Sequence, residues 1–213
     1  MIRGVIFDLD GVIVTTDDCH YRAWKRMADE EGIYFDRSIN ERLRGVSRMD
    51  SLSIILERAG KPYTEAQKEE MAARKNRYYV DLISALTPED ILPGALEVIN
   101  ALKAKGIRVA IGSSSRNTPI ILRQIGLSNA FDAVSDGNQI THSKPHPEVF
   151  LLAAKLLQLP PAECLVVEDA DAGIEAALAG GMKALGVGSA AKNPRATYRA
   201  ETLADADLTE ILR

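Results

Sequence analysis

The stretch Val5-Ile6-Phe7-Asp8-Leu9-Asp10-Gly11-Val12 decides how the rest of the chain is interpreted. The residues from Ile2 to Phe7 form a short run that is apolar on both faces, which is typical of a buried parallel strand. Because side chains alternate along a strand, we expect Asp8 and Asp10 to point to the same side, about 6.5–7 Å apart. Two carboxylates would then lie at the edge where open α/β sheets bind ligands. The alternative is an Asp-Gly hairpin turn with solvated carboxylates.

The segment from Thr16 to about Leu86 contains the start and stop signals of helices and no strand pattern. Helix-capping signals at Asp17 or Asp18, at Ser47 and at Thr64 predict three helices, of which the last is the longest. We therefore expect a helical cap domain over residues 16–87, inserted into a core that residues 1–15 and 88–213 form together.

Helices and strands alternate from Pro93 onward. Apolar runs at residues 107–111, near 131–134, at 165–167 and near 184–187 predict strands, with helical patterns between them. Beyond Gly188 the sequence suggests only a short helix near Leu208. Strands joined by helices form parallel sheets with right-handed crossovers. The predicted fold class is α/β, with a Rossmann-like parallel sheet core and an inserted helical cap.

Composition limits the kind of partner that the protein can have. The chain has 213 residues with a formal charge of −4 and mixed signs throughout, which argues against nucleic-acid binding. No apolar run approaches the roughly 20 residues of a membrane helix, and no leader precedes the first strand. Cys19 and Cys164 are too few for a disulfide framework or a zinc site. We expect a monomeric cytoplasmic protein that acts on a small molecule.

Polar side chains follow several of the predicted strands. Ser113-Ser114-Ser115 and Glu168-Asp169 each come directly after a strand, and Lys144 lies in a proline-rich loop. Acids that lie close together repel each other unless a hard cation joins them, and oxygen ligands suit Mg²⁺. Taken singly, Lys144 could be a solvated lysine, and Glu168-Asp169 could cap a helix. Their convergence on one edge favours a catalytic site.

These motifs resemble those of a known family. Asp8-Leu9-Asp10-Gly11, Ser113, Lys144-Pro145 and Glu168-Asp169 are similar, in order and spacing, to the four motifs of the haloacid dehalogenase-type phosphotransferases. The resemblance spans nearly the whole chain. Finer matches point to the β-phosphoglucomutase branch, and they are residues 20–25, 43–48, 74–76 and 113–117.

Three positions depart from the pattern of that branch. Thr15 stands where an acidic residue is expected in the linker, which leaves the hinge of cap closure open. Arg116 replaces a lysine and keeps the charge, and Ala170 replaces a serine after the acid pair.

Carboxylate chemistry assigns roles to the core residues. Asp8 can attack phosphorus to form an aspartyl phosphate, Asp10 can serve as general acid and base, and Ser113 and Lys144 can hold the phosphoryl oxygens. Mg²⁺ would be held by Asp8, by the backbone carbonyl of Asp10 and by Glu168-Asp169.

The resemblance implies the remaining assignments. It implies interconversion of β-glucose 1-phosphate and glucose 6-phosphate, with glucose 1,6-bisphosphate as an activating intermediate. The residues expected to bind substrate are Thr16, His20, Trp24, Gly45, Val46, Arg48, Ser51, Lys75, Ser114, Ser115, Arg116 and Asn117.

Simpler interpretations remain open for several of these residues and for the function. Arg48 and Lys75 could be solvated charges, His20 could be exposed, and Trp24 fits the cap interior better than a sugar platform. For the whole chain, the alternatives are a sugar-phosphate or small-metabolite monophosphatase and a non-enzymatic binding protein.

Overall fold

A computed structural model describes residues 1–212, and among these residues six parallel strands form one sheet. The strands are β1 (Gly4–Phe7), β2 (Arg108–Gly112), β3 (Ala133–Ser135), β4 (Cys164–Glu168), β5 (Lys183–Gly186) and β6 (Tyr198–Arg199). Their order in the sheet is β3-β2-β1-β4-β5-β6. Phe7 pairs with Ile111 on one side and Val167 on the other. The carboxyl ends of the three central strands therefore lie level at one edge.

The helices between β1 and β2 form a layer of their own. They are α1 (Asp17–Glu30), α2 (Arg37–Glu41), α3 (Arg48–Leu56) and α4 (Glu65–Ile83). Trp24, Met27, Phe35, Leu52 and Met71 belong to one apolar cluster that these helices bury among themselves.

The cap helices are also anchored to the sheet. Tyr79 and Ile83 near the end of α4, with Ala23 of α1, pack into the apolar cluster on one face of the sheet. The helical insertion is thus observed, whereas its predicted boundaries at residues 16 and 87 remain predictions.

The remaining helices cover both faces of the sheet. They are α5 (Ala95–Ala104), α6 (Thr118–Gln124), α7 (Glu148–Leu156), α8 (Asp171–Ala179) and α9 (Leu208–Ile211). Val5 and Phe7 of β1 pack with residues of α5 and α6, while Ile6 packs with residues of α7 and α8. This alternation explains why the sequence of β1 is apolar on both faces.

The predicted fold class is confirmed, with corrections to single elements. The five-residue helix α2 and the two-residue strand β6 were not predicted, because neither is long enough to show a period. β1 ends at Phe7, so Asp8 and Asp10 follow the strand instead of alternating within it. No helix within residues 1–212 is long and apolar enough to span a membrane.

The predicted helix caps are confirmed in two of three cases. Ser47 accepts a hydrogen bond from the backbone N–H of Asp50, and Thr64 forms a capping box with Gln67. The prediction for α1 was wrong, because Thr16 occupies the cap position and makes no side-chain capping bond.

Candidate active site

The strand ends bring the predicted catalytic residues together around one cavity of about 470 Å³. Asp8, Ser113, Lys144 and Glu168 are all buried. Lys144 Nζ donates to Asp8 Oδ1 at 2.6 Å and also contacts Glu168 Oε1. Burial alone would lower the pKa of Lys144, but these two carboxylates outweigh that effect and raise it. Lys144 is thus a charged ammonium that orients Asp8.

Three carboxylates form an acidic cluster beside Lys144. Oxygens of Asp8, Glu168 and Asp169 lie within 4.8 Å of one another. Burial raises the pKa of Glu168 to about 7, although Lys144 opposes the rise. Burial, together with repulsion from Glu168 and Asp8, raises the pKa of Asp169 to about 8. One ammonium does not neutralise this cluster, so an oxygen-seeking divalent cation such as Mg²⁺ fits it.

Two glycines make room for the acidic cluster. A Cβ atom at Gly11 would lie 2.1 Å from Asp169 Oδ2, and one at Gly173 would lie 2.0 Å from Glu168 Cδ. Gly11 also has a φ of +81°, which a larger residue rarely adopts. At Gly11 and Gly173 the backbone thus approaches the carboxylates more closely than a residue with a side chain would allow.

The Asp10 side chain is hydrogen-bonded to Thr16 and is not part of that cluster. Its two oxygens accept hydrogen bonds from the backbone N–H of Thr16 at 2.6 Å and from the Thr16 hydroxyl at 2.7 Å. The Tyr79 hydroxyl donates in turn to Thr16 Oγ1 at 2.9 Å. Burial raises the pKa of Asp10 to about 6 despite these hydrogen bonds. A carboxyl group that titrates near neutrality suits both acid and base catalysis.

A buried lysine from the cap lies near Asp10. Lys75 Nζ lies 2.9 Å from His20 Nδ1 and 4.7 Å from the centroid of the Trp24 ring. His20 Nε2 is 4.0 Å from Asp10 Oδ2. Burial and the charge of Arg48 lower the pKa of Lys75, and burial together with Lys75 lowers that of His20. His20 is therefore a neutral hydrogen-bonding group near Asp10.

Two arginines also line the cavity. Arg48 comes from the cap and Arg116 from the core, and within residues 1–212 neither forms a salt bridge. Burial lowers the pKa of Arg48, and the like charge of Arg116 lowers it further. Asn117 Nδ2 donates to Asn76 Oδ1 at 2.9 Å, which joins the core to α4 beside these arginines. Two unpaired guanidinium groups at one cavity wall are suited to bind an anion.

Residues 2–181 match the family described as haloacid dehalogenase-like hydrolase. The match covers most of the chain and includes every element that carries the acidic cluster and Lys144. The chain belongs to the haloacid dehalogenase-like hydrolase family. It is an enzyme of this family and a homologue of β-phosphoglucomutase.

Two relatives and one solved structure are similar to this chain over most of its length. A β-phosphoglucomutase from Bacillus subtilis is 48% identical over 88% of this chain and 84% of the relative. A phosphorylated carbohydrates phosphatase from Thermotoga maritima is 29% identical over 99% of this chain and 97% of the relative. The crystal structure of a β-phosphoglucomutase from Clostridium difficile superposes with a TM-score of 0.93 at 39% identity, covering 99% and 96% of the two chains.

The structure of this haloacid dehalogenase-like hydrolase brings nearly all the predicted site residues to one cavity. Thr16 is the exception, because it is 1% exposed and lies behind Asp10 without lining the cavity. The predicted residues that do line it are Asp8, Asp10, His20, Trp24, Gly45, Val46, Arg48, Ser51, Lys75, Ser113, Ser114, Ser115, Arg116, Asn117, Lys144, Glu168 and Asp169.

Sequence reasoning missed Arg44 as a site residue. Arg44 Nη1 lies 3.5 Å from Asp169 Oδ2, while its other nitrogens approach Asp17 and Glu41 of the cap. The next residue, Gly45, has a φ of +70°, and a Cβ there would lie 3.6 Å from the Ala172 side chain. The cap loop thus touches the core beside the acidic cluster. The position of Arg44 next to Gly45, within the 43–48 motif, was the signal that could have identified it as a site residue.

Proposed function

We propose that the protein is a Mg²⁺-dependent β-phosphoglucomutase. It would interconvert β-D-glucose 1-phosphate and glucose 6-phosphate through an aspartyl phosphate on Asp8, with glucose 1,6-bisphosphate as the intermediate. The 48% identical relative from Bacillus subtilis supports the activity. The arrangement of charge in the cavity supports the use of a bisphosphate.

The observation that carries the proposal is that an acidic cluster and two arginines line the same cavity. Asp8, Glu168 and Asp169 form the acidic cluster, where phosphoryl transfer would occur. Arg48 and Arg116 line the same cavity and have no acidic partners among residues 1–212. Hydrolysis of a monophosphate requires one phosphate site, whereas a bisphosphate that reacts in two orientations requires two. The unpaired arginines provide donors for the second phosphate.

The core residues supply the chemistry of phosphoryl transfer. Asp8 would attack the phosphorus atom, and Lys144 and the Ser113 hydroxyl would hold the phosphoryl oxygens as charge redistributes. Mg²⁺ held by Asp8, Glu168, Asp169 and the Asp10 carbonyl would offset the repulsion between carboxylate and phosphate. The same transfer runs in reverse when the bisphosphate returns its other phosphoryl group.

One carboxyl group would serve both half-reactions. Asp10 would protonate the leaving sugar oxygen and later take the proton from the attacking hydroxyl. Its raised pKa, about 6, allows both protonation states near neutral pH. The hydrogen bonds from Thr16 fix the position of Asp10, which gives Thr16 a positioning role.

The cap would keep water away from the phosphoenzyme. Gly45 and Arg44 approach the core next to Asp169, and Asn76 of the cap bonds to Asn117 of the core. Exclusion of water favours transfer to the sugar hydroxyl over hydrolysis.

A sugar-phosphate monophosphatase is the second candidate. The Thermotoga maritima relative, a phosphorylated carbohydrates phosphatase, aligns with 99% of this chain. The chemistry proposed for Asp8, Asp10, Ser113 and Lys144 serves hydrolysis equally well, so only the acceptor distinguishes the two reactions.

Product analysis separates the candidates. The purified protein is incubated with β-glucose 1-phosphate, Mg²⁺ and a catalytic amount of glucose 1,6-bisphosphate, and glucose 6-phosphate and free phosphate are followed together. A mutase forms glucose 6-phosphate with little phosphate release. Release of phosphate without glucose 6-phosphate would make the phosphatase the better assignment.

A further inference from the structure

The loop that carries Lys144 also carries two of the three histidines of the chain. His142 precedes Lys144 by two residues and His146 follows it by two. Both side chains are more than half exposed, and the centroids of their rings lie 4.7 Å apart. The phosphoryl transfer proposed above uses neither histidine, although Thr141 and Ser143 of the same loop line the cavity.

Glu148, the first residue of α7, faces both rings. Its Oε2 lies 3.0 Å from His142 Nδ1 and 3.9 Å from His146 Nδ1. The backbone N–H groups of Thr141 and His142 donate to the two Glu148 oxygens at 2.9 and 2.8 Å. These bonds hold the carboxylate with one oxygen directed at the imidazoles.

The spacing of these donor atoms is close to that of a tetrahedral metal site. One ligand atom from each of His142, His146 and Glu148 can be chosen so that all lie within 4.8 Å of one another. Ligands about 2.0–2.1 Å from a tetrahedral ion lie about 3.3–3.4 Å apart. The two measured distances to Glu148 Oε2, 3.0 and 3.9 Å, lie on either side of that value. A small rotation of the exposed rings would equalise them.

We propose that His142, His146 and Glu148 form a second metal site, which binds a borderline divalent transition-metal ion such as Zn²⁺ or Ni²⁺. A donor set of two imidazole nitrogens and one carboxylate oxygen binds such ions in preference to Mg²⁺. The site is open to solvent, so water completes the coordination. Its donors differ from those of the acidic cluster at Asp8, which are all oxygens and suit Mg²⁺.

An ion bound there would join residues on both sides of Lys144 to α7. The only bond it would need to displace at His146 is a long one, from the backbone N–H of Glu148 to His146 Nδ1 at 3.3 Å. The loop would then be tied at His142 and at His146, which would restrict the backbone that positions the Lys144 ammonium.

Metal titration of the full-length protein without an affinity tag tests the site. Zn²⁺ is titrated by calorimetry with Mg²⁺ kept saturating, so that the acidic cluster is occupied. We expect one Zn²⁺ per chain, with affinity weakened at least about 10-fold by His142→Gln and by His146→Gln. His20→Gln, which removes the third histidine, should leave Zn²⁺ binding unchanged.

A spectroscopic measurement makes the test specific for the ligands. Co²⁺ in place of Zn²⁺ should give visible absorption bands in the wild-type protein and in His20→Gln but not in His142→Gln/His146→Gln. Circular dichroism checks that each variant is folded. Unchanged Zn²⁺ affinity in the folded double variant, or Zn²⁺ binding that Mg²⁺ abolishes, would overturn the proposal, because the ion would then be bound elsewhere.

Discussion

The core and the cap contribute to the same cavity in different ways. In the core, Lys144 donates hydrogen bonds to Asp8 and Glu168, and all three side chains are buried. Arg48 of the cap is only half-buried and has no acidic partner among residues 1–212. The core residues therefore hold one another in place, whereas the cap presents charge that an anionic ligand can neutralise.

This difference separates what each region controls. A group that acts on the phosphorus atom or on the transferred proton affects every reaction of the phosphoenzyme, including hydrolysis. A group that binds the phosphate that is not reacting affects only substrates that carry one. Substitutions in the two regions should therefore change the ratio of isomerisation to hydrolysis differently.

The largest effect is expected for the nucleophile. Asp8→Asn keeps the shape of the side chain but removes the attacking anionic oxygen, so isomerisation and hydrolysis should both fall by about 10⁴-fold or more. Steady-state assays of glucose 6-phosphate and phosphate measure both losses. The matched control is Asp81→Asn on an exposed position of α4, which should stay within about twofold of wild type. Activity of Asp8→Asn within tenfold of wild type would refute the assignment.

The next largest loss of activity is expected for Asp10→Asn. The amide can neither deliver nor accept a proton, so both half-reactions should slow by about 10²–10⁴-fold while the acidic cluster at Asp8 stays intact. Rapid-quench measurement of phosphoenzyme formation in a single turnover checks this. A normal rate of phosphorylation of Asp10→Asn would remove the general-acid role.

Arg48→Ala tests the cap. The loss of the guanidinium should lower the kcat/KM of isomerisation, because the distal phosphate loses a desolvated partner. The expected loss corresponds to about 2–5 kcal/mol of transition-state stabilisation. Slow hydrolysis of the phosphoenzyme should change much less. Both rates are measured on one preparation.

Arg42→Ala supplies the matched control for that variant. Arg42 lies on the same part of the cap but pairs with Glu57 at 2.8 and 2.9 Å and is exposed. Because this ion pair is solvent-exposed, its removal should leave the kcat/KM of isomerisation within about twofold of wild type. If Arg48→Ala loses isomerase and hydrolase activity to the same degree, Arg48 and Arg116 do not form a second phosphate site.

The smallest predicted effect is a shift in thermal stability with pH. The pKa values of Glu168 and Asp169 are raised to about 7 and about 8, so the folded metal-free protein holds protons that the unfolded chain releases. Its free energy of unfolding should therefore fall as pH rises from about 4 to about 8. Mg²⁺ binds the deprotonated carboxylates, so it should raise Tm more at about pH 8 than at about pH 6. Each kcal/mol that Mg²⁺ adds to the free energy of unfolding should raise Tm by roughly 2–4 °C.

Thermal melts with and without Mg²⁺ at the two pH values measure this difference. Asp169→Asn removes one of the two titrating acids and should reduce the dependence of the Mg²⁺ effect on pH. A Mg²⁺-induced increase in Tm that is equal at both pH values, or larger at the lower one, would show that the acidic cluster does not titrate as described.

The core half of the site was predictable from sequence because its signals are local. Asp8 and Ser113 directly follow apolar strands and Glu168 is the last residue of one, and parallel strands end at a common edge. The same logic found the sheet, apart from β6, whose two residues show no alternation. Short elements carry too few residues for a period to emerge.

The cap half was less predictable because its contacts join distant parts of the chain. Thr16 was expected to bind substrate, yet it lies behind Asp10 and accepts a hydrogen bond from Tyr79 of α4. The pairing of Arg44 with Asp169 joins cap and core in the same manner. No spacing rule in the sequence encodes these contacts, since they depend on how the cap rests on the core.

The partition of the phosphoenzyme between sugar phosphate and water tests the central claim most directly. Wild-type protein phosphorylated on Asp8 with a radiolabelled donor is mixed with Mg²⁺, with or without β-glucose 1-phosphate, and quenched at increasing times. The account predicts that the phosphoenzyme decays slowly in water and rapidly with the sugar phosphate, and that the label then appears in glucose 1,6-bisphosphate. Decay at the same rate in both mixtures, with all the label in free phosphate, would contradict it.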